Sequence, residues 1–144
     1  MNVMTRIRFG LIIFLAFCSS VCLGCGKSNA EKLNSDLKRV ASWTATARMV
    51  ADAYANRAVP GAYTSQTLEE VNRQLEQDAK HIESIGDTRS GDAANRVRQI
   101  ESVVSKINMD VSRQERAAVN ELSMQLIGQE RALGSLVESA ASAH

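Results

Sequence analysis

Few residues in this chain are of a type and spacing that could do chemistry. Asp78-Ala79-Lys80-His81 sets a carboxylate and an imidazole one helical turn apart, the raw material of an acid–base pair or half a metal site. A carboxylate-bridged metal pair in a helical bundle needs two such copies and two further carboxylates. The only other histidine is His144, the last residue, so His81 reads as a surface side chain beside Gln74 and Gln77. Met49, Met109 and Met124 could partner a histidine on haem, but methionines at helical spacing read first as gap-filling or surface residues. No Cys-x-x-Cys-His is present to attach haem covalently. Gly26-Lys27-Ser28 matches the end of a phosphate-binding loop, yet Val21 stands where that motif needs its first glycine. Glu69, Glu76 and Glu83 recur at seven, flanking Leu68, Leu75 and Ile82, which is the pattern of charge edging a packed seam. No serine–histidine–acid set is apparent. The expectation is a domain that is not an enzyme and takes no cofactor or metal.

Cysteine chemistry is confined to one end. Cys18, Cys22 and Cys25 all fall in the first 25 residues and none follows, so the rest of the chain can form no internal disulfide or thiolate zinc site. Residues 1–8 carry Arg6 and Arg8 and no acid, and an uncharged, mostly apolar run follows from Phe9 to Leu23. A basic start, a short apolar core and small residues at its end make a secretory signal peptide.

That core ends in Val21-Cys22-Leu23-Gly24-Cys25-Gly26, which resembles the lipobox of bacterial lipoproteins. The resemblance implies cleavage between Gly24 and Cys25 and attachment of diacylglycerol to Cys25. Gly24 fills the small position, and Cys22 stands where the family usually has leucine. Cys18 follows bulky Phe17 and Cys22 follows Val21, so Cys25 is the better acceptor. Two acyl chains hold a protein stably where one does not. Gly26 lacks the aspartate that resembles an inner-membrane retention signal, which points to the outer membrane where the organism has one. The alternatives are an uncleaved anchor, since residues 9–26 are uncharged and near the shortest spanning length, and ordinary cleavage after Ala30.

The elements that follow are helical. Aromatics after residue 24 are limited to Trp43, Tyr54 and Tyr63, Pro60 is the sole proline, and the remainder is rich in helix formers. Helix 1 is expected to begin near Ala30 and run to about Ala58 on Leu33, Leu37, Val40, Trp43 with Thr44, Ala47, Val50 and Tyr54; Asp36 and Arg39 fall outside that stripe. Val59-Pro60-Gly61 ends it. Thr67-Leu68-Glu69-Glu70 has capping-box spacing and opens helix 2, with Leu68, Val71, Leu75, Ala79, Ile82 and Ile85 buried and Gly86 as its stop. Glu69–Arg73 and Glu76–Lys80 are set for surface pairing. A polar turn over Asp87–Asp92 precedes helix 3, which carries Val97, Ile100, Val104, Ile107 and Val111. A break between Asn108 and Ser112, with a second capping box at Ser112–Glu115, gives helix 4 on Val119, Leu122, Leu126, Leu133, Leu136 and Val137; one long kinked helix is the alternative.

The fold class expected is therefore all-α: a small antiparallel bundle of four helices, or of three with a long kinked last helix. The chain divides into a signal peptide over 1–24, a lipidated tether over 25–30, a bundle over 31–140 and a frayed tail over 141–144. Beyond residue 24 it holds 15 basic residues (17 less Arg6 and Arg8) against 16 acidic, a charge of −1 that gives no reason to bind nucleic acid. Trp43, Pro60 and Tyr63 are the residues expected to meet a partner, with core packing as their alternative role. The function expected is a membrane-anchored envelope lipoprotein whose helical domain binds a protein or self-associates. The alternative is a sensor bundle that binds a small molecule or metal.

Overall fold

A computed structural model describes residues 28–141 and shows four helices among them: α1 (Asn29–Ala55), α2 (Gly61–Glu83), α3 (Thr88–Ser112) and α4 (Arg116–Ala141). Residues 1–27, with the expected signal peptide, Gly24 and Cys25, and residues 142–144, with His144, lie outside the described residues. The four helices form an antiparallel up-down bundle. Connections of three to five residues are too short for crossovers, so each helix packs on its chain neighbour and α4 returns onto α1. Contact also runs across the diagonal from α1 to α3, whereas α2 and α4 do not touch. No helix among the described residues is long and apolar enough to cross a membrane.

The stripes read from the sequence form the core. Leu33, Leu37, Val40, Leu68, Val71, Leu75, Ile82, Val97, Ile100, Val104, Ile107, Val119, Leu126 and Leu133 are all buried, while Leu122, Leu136 and Val137 pack against them half-covered. Each such large side chain contributes roughly 1.5–3 kcal/mol by leaving water. Met49, Met109 and Met124 are on the surface.

The boundaries differ from the sequence expectation, for identifiable reasons. Ser28 caps α1 through a box with Glu31, so Asn29 and Ala30, expected to precede the bundle, are helical. The helix ends at Ala55, not Ala58. Gly61, not Thr67, opens the second helix: Pro60 is its N-cap, and Thr67 lies inside it, its hydroxyl donating to the Tyr63 carbonyl 2.9 Å away. Proline before a first turn starts a helix as readily as it stops one. α3 starts at Thr88 because Asp87 and Ser90 form a capping box inside the expected polar turn. α3 then continues through Ser112, the break falls at 113–115, and Ser112 is no cap: its hydroxyl donates back to Met109. α4 is accordingly a separate helix, and it reaches Ala141. Ile85 lies beyond the end of α2, half-buried in the turn.

Both helices that end far from Ser28 close in the same way. Arg57 N–H donates to Tyr54 and Ala58 N–H to Ala53, and likewise Gln114 to Val111 and Glu115 to Asp110. These are Schellman turns, which put Arg57 (φ 62°) and Gln114 (φ 61°) in the left-handed region. At the opposite end Gly86 takes the positive φ after α2. Surface pairing also differs in one place: Arg73 bonds Glu70 at 2.5 Å rather than Glu69, while Lys80 bonds Glu76 at 2.5 Å as expected. Arg73 and then Gln74 hold Glu70 below the ordinary carboxylate range, and Lys80 does the same for Glu76. Their small stabilisation is present above that range and lost as pH falls through it.

Two substitutions test this packing. Ile82→Asp places a carboxylate without a partner in the core and should leave the chain unfolded by circular dichroism, a loss of more than about 4 kcal/mol. Gln114→Gly relieves a left-handed side chain and should stabilise the bundle by about 0.5–1 kcal/mol in urea, the relief being partly offset by glycine entropy.

Candidate functional site

The largest departure from the sequence reading lies between α1 and α2. Asp36 and Asp78, each only 3% exposed, face one another across this seam. Asp36 lies three residues after Leu33 and Asp78 three after Leu75, positions that a helix turns toward the core side. Arg39 bridges them: its Nε donates to Asp78 Oδ1 at 2.7 Å, and its second arm reaches Asp36 Oδ1 at 2.9 Å. His81 Nδ1 is 2.7 Å from Asp36 Oδ2. His81 is on the surface as expected, but it is not idle, and Asp36 is not on the solvent side. The second oxygen of Asp78 is buried and has no hydrogen-bond partner among the described residues. The Arg39 guanidinium is pushed above its ordinary value, first by the Asp78 bond, with burial opposing and the charges of Asp78 and Asp36 assisting. It therefore stays charged at any working pH.

The residues expected to meet a partner are not brought together. Trp43 is half-buried against the core midway along α1, and its indole Nε1 has no hydrogen-bond partner among the described residues. Twelve residues of helix, about 18 Å, separate it from the end of α1. Pro60 is exposed as the N-cap of α2, and Tyr63, in that helix's first turn, is 56% exposed. Pro60 and Tyr63 stand at the far end of the bundle, the end away from Ser28.

That far end carries a cleft of about 410 Å³, with Tyr54, Gly61, Ser65, Val111, Gln114 and Arg116 in its walls. Tyr54 organises it. Its hydroxyl donates to the Val111 carbonyl at 3.3 Å, and its own carbonyl accepts from Arg116, whose guanidinium lies 4.2 Å from the centre of the tyrosine ring. Gly61 packs beside the ring, and a Cβ there would meet it at 3.4 Å, an ordinary van der Waals contact. Below the cleft, Asp52 accepts from Ser123, and Arg48 bonds Glu130 at 2.9 Å, tying α1 to α4. That bond to Glu130 is the main cause that raises Arg48. The volume is within the range of small-ligand pockets, roughly 300–1,000 Å³, but the cleft is open to solvent. Sequence spacing alone could not have paired Tyr54 with Arg116, which are 62 residues apart.

No protein-family model, curated protein or solved structure matches this chain. The site is therefore read from its own chemistry.

The seam and the surface should respond differently to loss of a cation. Arg39→Met leaves two buried carboxylates facing one another and should destabilise the bundle by about 2 kcal/mol. That is below the range for fully buried pairs, because the Arg39 side chain is 46% exposed. Lys80→Met removes an exposed partner and should leave the urea midpoint where it was.

Proposed function

We propose that this chain is a lipid-anchored protein of the bacterial cell envelope, held to a membrane through Cys25, whose bundle acts by contact with another protein or a second copy. The observation that carries the reading is the lipobox-like Val21–Gly26 stretch standing immediately before a bundle capped at Ser28. Two residues separate Cys25 from that cap, a reach of about 10 Å at most, so an anchor there would hold one end of the bundle at the lipid surface. α1, with 27 residues, carries the opposite end roughly 40 Å away. Pro60, Tyr63 and the Tyr54–Arg116 cleft would then be the features presented outward. In this reading the domain is non-enzymatic, and the outer membrane is its destination in an organism that has one.

A second reading is a sensor bundle for a small molecule, and the far-end cleft is what favours it. A ligand that binds only the folded state would raise the melting temperature in proportion to its concentration over Kd. Partner binding would instead give reproducible crosslinks in cells to one neighbour.

The anchor is tested by intact mass of the membrane fraction. The expected product lacks residues 1–24 and carries acyl mass on Cys25, and Cys25→Ala should lose both the cleavage and the acylation. An acylated product of normal size from that variant would overturn the assignment.

A further inference from the structure

We infer that the Asp36–Arg39–Asp78–His81 cluster is a proton-responsive clasp between α1 and α2, tightened when His81 takes a proton. The inference stands on the geometry of the seam and is independent of the anchor. Two carboxylates, both 3% exposed, share a single guanidinium while His81 is neutral. The cluster then carries one more negative charge than positive, and one oxygen of Asp78 is buried without a partner. Of the side-chain types in the cluster, only histidine ordinarily changes charge between about pH 5 and 8. Its Nδ1 already lies 2.7 Å from Asp36 Oδ2, so protonation needs no rearrangement. It turns that contact into a charge-assisted hydrogen bond and balances the seam at two against two.

Among the described residues, no other group around the imidazole can do this. From α1, Asp36 and Arg39 face the imidazole, and Lys32 lies one turn before Asp36 on the exposed side. On α2, Asp78 is one turn away, Lys80 is engaged by Glu76, and Glu83 is held by Arg98 of α3. α4 does not touch α2. The sign follows directly. A charged imidazole can pair with Asp36 only in the folded chain, so the stability that pairing adds is present while His81 carries its proton and is lost once the proton leaves. His81 is 59% exposed, which keeps the effect modest and lets protons reach the ring without unfolding.

The test uses the whole chain in two measurements. In urea unfolding at about pH 5.5 and about pH 8, the unfolding equilibrium constant should be roughly three- to tenfold larger at the higher pH. His81→Gln, an exposed change that keeps the fold, should remove most of that difference. Carboxylates elsewhere shift both proteins alike, so a variant with the same pH dependence as the parent overturns the clasp. The second measurement follows the His81 ring by proton NMR, with His81→Gln assigning its signal against that of His144. Asp36→Asn should move the His81 titration to lower pH. An unmoved titration in a folded Asp36→Asn protein also overturns it, and should that variant not fold, the His81→Gln comparison decides alone.

Discussion

Two helices of this bundle, α1 and α3, finish at the same end, and the carbonyls of their last turns must all find donors there. Tyr54 makes that end possible. Its backbone carbonyl, in the last turn of α1, takes both the Schellman N–H of Arg57 and the guanidinium of Arg116. Its hydroxyl crosses to the Val111 carbonyl, in the last turn of α3, which also takes Gln114 N–H. One buried aromatic thereby ties two helix C-termini to each other and to the first residue of α4. Arg116 adds a positive charge where the negative ends of two helix dipoles converge, which is where a cation is most favourable. Release of Tyr54 would free the α1–α2 and α3–α4 turns together, because both are built on carbonyls it controls.

The opposite end is organised by different means. α1 and α3 begin there, and each caps its own first amides with a local box, Ser28 with Glu31 and Asp87 with Ser90. These boxes are self-contained within three residues, whereas the far end depends on contacts spanning 57 and 62 residues. The end nearer Ser28 can therefore form locally, and the far end can close only once all four helices are in place. Between the two ends the α1–α2 seam fixes the vertical position. Asp36 meets His81 while Arg39 meets Asp78, an antiparallel offset that a slide of one turn would destroy. Such a slide would leave buried carboxylates unpaired, a penalty that an apolar seam would not impose.

These devices differ in how visible they are in a sequence. The stripes on all four helices were legible because burial of one face leaves a repeat of three and four residues, and nothing in the tertiary structure displaces it. Helix ends were less so. A glycine-based rule finds the Gly86 turn and misses Arg57 and Gln114, which take the same left-handed conformation without glycine. The Thr67 box misled because Thr-x-x-Glu spacing also occurs within a helix, where the hydroxyl bonds back to the carbonyl four residues earlier. Asp36 falls outside the stripe read for the first helix, and Asp78 reads from sequence only as a carboxylate one turn from His81. Their spacing from Leu33 and Leu75 placed them at the margin of the core, but only the neighbouring helix reveals that Arg39 compensates both.

The same contrast bears on where function could reside. A seam that carries two buried carboxylates is not the most stable way to join two helices, since apolar residues of similar volume are often as good or better. Its presence is better explained by what it specifies: one register, and a charge balance that depends on an exposed histidine. The far-end cleft is the complementary case. Its guanidinium is already held by a carbonyl and a ring, so its polar groups serve the closure of the bundle first. Anything that binds there must do so without displacing Arg116 from Tyr54. A partner that reads the rim, through Tyr63 and the turn at Pro60, meets that condition more easily than a ligand that must enter the cleft and compete for its donors.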